Sequence, residues 1–282
     1  MGDLLPKLQI AKWIDLLVEW LVDHFEPLFE GIAGGLELIV DGIVNGLGII
    51  PVLLLTIIVS LLAWKVSNWK MALFTLIGLL LIDNLGYWDN MLDTIALVLT
   101  SVAISIILGI PIGIWASQSD KVGKVVTPLL DFMQTMPAFV YLLPAIFFFN
   151  IGVVPGVVAS VIFAMPPTIR LTILGIKQVP EDLIEATQAF GSTTSQKLIK
   201  VQLPLALPTI MAGVNQSIML ALSMVVIASM VGAPGLGADV YRAVTQLQTG
   251  TGFEAGLAIV IIAIILDRIT QNIGKSKRGG TL

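Results

Sequence analysis

Residues 181–208, EDLIEATQAFGSTTSQKLIKVQLPLALP, place carboxylate, amide and hydroxyl groups between two strongly apolar stretches. Glu181, Asp182 and Glu185 suit the positive end of a helix that begins after Pro180. Gly191 suits its C-cap. Ser192 and Thr193 suit the N-cap of a second short helix, which Leu203-Pro204 ends before the apolar run resumes at Leu207-Pro208. The spacing predicts two short helices joined at a glycine. Leu183, Ile184, Ala186, Phe190, Leu198 and Ile199 are too many apolar groups for a solvated tip. They are covered either by the rest of the same chain or by another polypeptide.

Other chemistry is excluded. The chain has no cysteine, so disulfides, thiolate catalysis and cysteine-based metal sites do not arise, and its one histidine, His24, reads as a surface residue. No Gly-x-x-x-x-Gly-Lys-[Ser/Thr] occurs; the nearest string, VGKVV at 122–126, lacks the first glycine and the hydroxyl. No catalytic residue, metal site, cofactor or nucleic-acid partner is expected, and any ATP that drives this chain is bound by a partner. The other energy source is an ion gradient. Gradient-driven carriers place acids inside their spans or show inverted repeats. Here Asp83, Asp93, Asp131 and Asp267 fall at span ends and no repeat is evident, which disfavours that reading.

The elements that position these groups follow from composition. Hydrophobic residues make up 56% of the 282 and charged residues 12%, against about 25% charged in soluble domains. A soluble enzyme is therefore disfavoured and an all-α polytopic membrane protein expected. A span takes about 20 apolar residues. Seven candidates occur, at 47–64, 70–86, 92–117, 133–151, 153–176, 208–232 and 253–272. The runs are continuous rather than alternating, which argues against a β-barrel. With the C-terminus inside, the Lys and Arg split 12 on the inner face and 3 (Lys7, Lys12, Arg242) on the outer. The N-terminus then lies outside, and 177–208 lies in the cytoplasm.

Residues 1–46 form an N-terminal extracytoplasmic segment without the pattern of a cleaved signal peptide. Lys12, Asp15, Glu19, Asp23, Glu26 and Glu30 share one narrow stripe of a helix whose remaining surface carries Trp13, Trp20, Phe25 and Phe29. Such a helix either lies in the membrane interface or packs on the outer ends of the bundle. Pro27 is expected to kink it and Gly34-Gly35 to interrupt it. Two N-terminal spans (47–91), a main membrane domain (92–272) with its cytoplasmic loop (177–208), and a basic tail (273–282) complete the organisation. The tail sequence KSKR (275–278) suits anionic inner-leaflet lipid. The polar, Gly-rich stretch 231–252 is placed outside, as a docking surface or a plain connector.

One spacing is more specific. Glu185-Ala186-Thr187, then Gly191, Val201 and Leu203-Pro204 follow the cytoplasmic signature of ABC importer permeases: Glu-Ala-Ala, three residues, Gly, nine residues, Ile, one residue, Leu-Pro. Thr187 for Ala and Val201 for Ile are the departures, both conservative in shape. MQTMPAFVYLLPAIFFFNIG (133–152), MPPTIRLTILGIKQVPEDLIEA (165–186) and VGAPGLG (231–237) resemble the glycine betaine/proline betaine importer permeases, over about residues 90–272. The resemblance implies a type I ABC importer transmembrane fold and a multi-pass subunit of the bacterial cytoplasmic membrane. It also implies a homodimer of permease subunits, cytoplasmic ATPase subunits docked on the 181–204 loop, and an extracytoplasmic glycine betaine-binding protein that holds the high-affinity site. The solute is then glycine betaine, or another compatible solute such as choline, carnitine or proline betaine. A quaternary ammonium is held by aromatic faces. Phe139, Tyr141 and Phe147, with Phe148 and Phe149, are candidates for a low-affinity path, or are simply packing. Pro111, Pro137, Pro144 and Pro166-Pro167 are hinges or static kinks.

Overall fold

The computed structural model describes residues 9–276, with side chains to 272, so the basic groups of the 275–278 tail and Lys7 lie outside the described side chains. Among the described residues there are helices and turns but no strand: α1 (Ile10–Gly48), α2 (Val52–Val66), α3 (Trp69–Asn84), α4 (Trp88–Gln118), α5 (Asp120–Thr135), α6 (Ala138–Phe149), α7 (Val153–Lys177), α8 (Glu181–Ala189), α9 (Thr194–Lys197), α10 (Leu203–Ser229), α11 (Leu236–Thr245) and α12 (Thr249–Ser276).

Among the described residues, four helices are long and apolar enough to cross a membrane alone: α4, α7, the continuous run Thr194–Ser229 and α12. Two bent pairs, α1 with α2 at 101° and α5 with α6 at 99°, raise the number to as many as six. The expected count of seven is not reached on length, because α3 has 16 residues. At 1.5 Å per residue that is about 24 Å, short of the ~30 Å hydrocarbon core.

Proline accounts for most of the departures from the expected spans. The span expected at 133–151 breaks at Met136-Pro137, where Met136 is extended (ψ 133°) and cannot continue α5. The span expected at 47–64 breaks before Pro51, which caps α2 with φ −54° and ψ 140°. In α1 the kink falls at Phe25 (φ −119°, ψ 15°), two residues ahead of Pro27, and the helix runs unbroken through Gly34-Gly35. Glycine weakens a helix but only proline removes a donor and clashes. The second half of α1 packs on the bundle through Leu36, Val40, Ile43, Val44 and Leu47.

The core is α4, α7 and α10. Helices in lipid lack a hydrophobic drive to associate and rely on close approach of small residues. A Cβ on Gly113 of α4 would sit 2.6 Å from Thr172 Cβ of α7, and one on Gly175 of α7 would sit 3.1 Å from the Ala206 carbonyl of α10. Hydroxyls bind the same helices: Thr168 Oγ1 and Ser217 Oγ are 2.7 Å apart, and Ser217 also donates to the Ala164 carbonyl at 2.5 Å, beside Pro166-Pro167. Ser101 and Ser105 of α4 approach the carbonyls of Val157 and Val161, so α4 and α7 run parallel. α7 and α10 are antiparallel, with Gly156 against Ala228 at one end and Gly175 against Ala206 at the other. The 178–202 segment therefore emerges at one end of the core, the loop face, and α11 follows α10 at the opposite end.

Candidate functional site

On the loop face, α8 ends in a Schellman turn. Gly191 N–H donates to the Gln188 carbonyl at 2.9 Å and Ser192 N–H to the Thr187 carbonyl at 3.1 Å. Gly191 has φ +72°, which an L side chain adopts only under strain. α9 then opens on a capping box: Thr193 Oγ1 accepts from Gln196 N–H at 3.3 Å, and Gln196 Oε1 accepts from Thr193 N–H at 2.9 Å. Both caps fall where the sequence places them.

The second helix does not stop at Leu203-Pro204. It continues through a π-helical turn, Leu198–Gln202, into α10, with Pro204 in the first turn of the new helix. A proline there forfeits no essential bond, and the π turn absorbs the change of register. The consequence is mechanical. The second half of the loop is the exposed end of a continuous 36-residue rod, Thr194–Ser229, rooted in the core helix, and α8 is attached to it through the Gly191 turn.

Its side chains divide sharply. Leu198 and Leu203 pack on Ile176, Ala206 and Ile210. Gln202 is buried and accepts from Gln118 Nε2 of α4 at 3.2 Å. Phe190 is 92% exposed, Ile199 60% and Leu183 43%. Of the motif residues, Glu185, Ala186, Gly191 and Pro204 are exposed, while Thr187, Val201 and Leu203 are half-buried. The Thr187 hydroxyl donates to the Ile184 carbonyl at 2.8 Å, so the departure from Ala is accommodated within the helix. The rest of the chain thus leaves four of the six apolar groups uncovered, Leu183, Ala186, Phe190 and Ile199. Sequence reasoning missed the Gln118–Gln202 bond and the ion pair between Arg170 of α7 and Asp131 of α5 at 2.5 Å. Neither pair is close in sequence, and no motif marks it.

The aromatic candidates separate. Tyr141 is buried and its hydroxyl donates to the Met133 carbonyl, so it staples the α5–α6 bend. Tyr141 and Phe147 line a cavity of about 620 Å³ with Met136 and, from α1, Asp15, Glu19 and Asp23. Phe139, 52% exposed, does not line it. Phe148 and Phe149 instead meet Phe29 of α1, at centroid distances of 4.6 and 5.6 Å.

At the opposite end α11 is pinned to α4. Leu236 N–H donates to Thr94 Oγ1 at 2.9 Å, Asn90 donates to the buried Asp239, and Arg242 pairs with Asp239 at 3.6 Å. Gly152 N–H donates to the Val231 carbonyl at 2.9 Å, tying the turn before α7 to the same segment. Burial, then the charges of Asp239 and Glu254, push the Tyr87 phenol up, and its hydroxyl donates to the Thr251 carbonyl at 3.5 Å. Val244, Leu247 and Phe253 stand exposed on this rim.

A small-residue helical core with a short, apolar-tipped loop at one end is the architecture of an importer's membrane subunit. The solved inward-facing MetNI methionine ABC transporter has a chain of this fold, with TM-score 0.59 and 23% identity over 70% of this chain and 96% of that one. Residues 105–279 match the family described as binding-protein-dependent transport system inner membrane component, and the chain belongs to it. It is 72% identical to the glycine betaine transport system permease protein OpuAB of Bacillus subtilis (strain 168), over 98% of each chain. It is 53% identical to the glycine betaine/carnitine transport permease protein GbuB of Listeria monocytogenes serotype 1/2a (strain 10403S), over 97% of this chain and 98% of that one. The chain is thus a multi-pass permease subunit of the cytoplasmic membrane, not an enzyme. Its family works with a partner ATPase, which hydrolyses the ATP, and with a substrate-binding protein. Nothing in these matches favours a gradient-driven carrier.

Proposed function

We propose that this permease carries glycine betaine inward, and that ATP acts on it through the 181–204 loop. The exposed apolar tip carries the reading: Leu183 and Phe190 are uncovered on α8 and at its C-cap, and Ile199 is uncovered on the rod that continues into a core helix. A cytoplasmic ATPase groove covers them, with Glu185, Ala186, Thr187 and Gly191 at the contact and Val201, Leu203 and Pro204 at its root. ATP stays on the partner; this chain binds no cofactor or metal. The orientation is N-terminus outside and C-terminus inside, with α2 and α3 each crossing a locally thinned bilayer to give seven passes. Residues 92–272 are the transport domain, 1–46 and 47–91 its N-terminal additions, and 273–282 a tail against lipid.

Two copies form the pathway. On the outer face, 231–252 with Val244, Leu247 and Phe253 receives the binding protein, which supplies the tight quaternary-ammonium cage. Inside the permease Tyr141 and Phe147 offer ring faces to the passing cation; each such contact is worth about 0.5–2 kcal/mol, weak enough to release it. Phe139 has less support because it lies off the shared cavity. ATP binding biases the bundle between two states through the loop.

The experiment is uptake of labelled glycine betaine at high osmolality in cells lacking other betaine carriers. Uptake should vanish without this chain and return when it is restored, with ATPase and binding protein held constant. Unchanged uptake would remove the betaine assignment. Because one relative's name includes carnitine, unlabelled carnitine belongs in the same assay as competitor.

A further inference from the structure

The root of the loop is joined to α4 at one polar contact. Gln118, the last residue of α4, donates from Nε2 to Gln202 Oε1 at 3.2 Å. Among the described residues this is the one side-chain hydrogen bond from 181–202 to any other part of the chain. Gln202 is 6% exposed, so its amide has little water to turn to when that bond is lost. An apolar cluster frames the pair: Ile110 and Ile114 of α4 pack with Leu198 and Leu203 around Ile176, Ala206 and Ile210.

The π turn sets what faces this contact. Pro204 has no N–H, and inside an α-helix its ring would press on the carbonyl four residues back. Immediately before it the helix widens: Leu203 N–H bonds to the Leu198 carbonyl, five residues earlier. Residues three apart are neighbours on an α-helix. Within this wider turn Ile199 is exposed and Gln202 is buried. One turn thus presents an apolar group outward and an amide inward.

α4 carries the connection to the other face. It runs unbroken for 31 residues through Pro111, about 46 Å. Asn90 and Thr94, in its first two turns, hold Asp239 and the Leu236 N–H of α11. The loop root therefore reaches the α11 rim twice, through α10 by chain continuity and through α4 by Gln118. We propose that the Gln118–Gln202 pair is the joint that makes α4 move with α10 when the loop is pushed, so that both glutamines are positioning residues for transport. With the joint broken, α10 moves while α4 lags, the rim is pulled two ways, and ATP turns over without import. This rests on the reading of 181–204 as the ATPase contact.

The test uses the complete transporter in proteoliposomes. Betaine imported per ATP hydrolysed is read beside ATPase association and thermal stability. Gln118→Leu with Gln202→Leu removes both amides and keeps their bulk, and replacing both partners of a hydrogen bond is close to neutral for stability. The double variant should keep its ATPase and its melting temperature. It should import roughly two- to tenfold less betaine per ATP, the range over which one hydrogen bond shifts an equilibrium. Each single variant should lose as much of the ratio as the double, because either change removes the same bond. Gln118→Glu leaves an acceptor for the Gln202 amide and should keep the parental ratio. Ser117→Ala, one residue away, deletes a hydroxyl that donates to the Ile114 carbonyl at 2.7 Å and should keep it too. A parental ratio in the double variant, an equal loss in Ser117→Ala, or a ratio that falls only in step with melting temperature would overturn the joint. So would loss of the ATPase from the double variant, which would assign the pair to shaping the tip. Phe190→Asp tests the loop contact separately. At 92% exposure the change spares the fold, and the ATPase should dissociate; full association with full uptake would remove the contact and the joint with it.

Discussion

Gly191 and Gly237 are held to glycine for different reasons, which makes their variants separable. At Gly191 the backbone sits at φ +72° with open space around it. Gly191→Ala therefore costs about 1–2 kcal/mol of local strain, and Gly191→Pro also loses the bond to Gln188. Neither reaches the core, so both variants should insert in the membrane normally. Uptake should fall partly in the alanine variant and at least roughly tenfold in the proline variant, the equivalent of about 1.4 kcal/mol. Uptake at parental rate in Gly191→Pro would refute the placement of the loop. At Gly237 a Cβ would lie 2.3 Å from the Val225 carbonyl oxygen, whereas at Gly250 nothing lies within 4 Å. Gly237→Ala should therefore lower thermal stability in detergent by about 1–3 kcal/mol, and Gly250→Ala should leave it unchanged. Glu185→Lys completes the residue scale: an exposed carboxylate with no ion pair among the described residues is reversed without touching the fold, so membrane insertion should persist and uptake should stop.

Tyr141 poses its question at the level of elements, because it belongs both to the α5–α6 bend and to the cavity against α1. Tyr141→Phe keeps the ring and deletes the bond to the Met133 carbonyl. As a staple, it should lower stability by about 0.5–1.5 kcal/mol while the uptake KM for betaine stays fixed. A changed KM at constant thermal stability would make it a path residue instead. The same bend shows why the elements were only partly legible. Apolar runs reveal that a helix is buried in lipid, and α4, α7, α10 and α12 fall where they are expected. They are silent about direction, so Pro137 could be marked as a hinge or kink but not as the 99° turn that separates α5 from α6. The proline at 204 misled in the opposite sense: read as a terminator, it sits in the first turn of α10, where its missing N–H is harmless. Caps were legible because Gly191 and Thr193–Gln196 act over four residues. The Arg170–Asp131 and Gln118–Gln202 pairs span 39 and 84 positions and needed the fold.

Across the whole molecule, the arrangement joins two surfaces through one rigid core. α10 continues the rod that bears Ile199 at one end and leads to the pinned α11 rim at the other, and Gly213 and Gly175 hold it tightly against α7. A push on Ile199 is thereby delivered to the helices between the two faces, and one on Phe190 reaches them through the Gly191 turn. The central claim is that ATP on a partner, and not an ion gradient, moves betaine through this core by way of the loop. The direct measurement is betaine uptake into proteoliposomes holding the complete transporter. ATP inside is compared with an ion gradient lacking ATP, and Glu185→Lys is run beside the parental chain. Uptake should require ATP, ignore the gradient and disappear in the variant. Gradient-driven uptake without ATP, or full ATP-driven uptake by Glu185→Lys, would contradict the account.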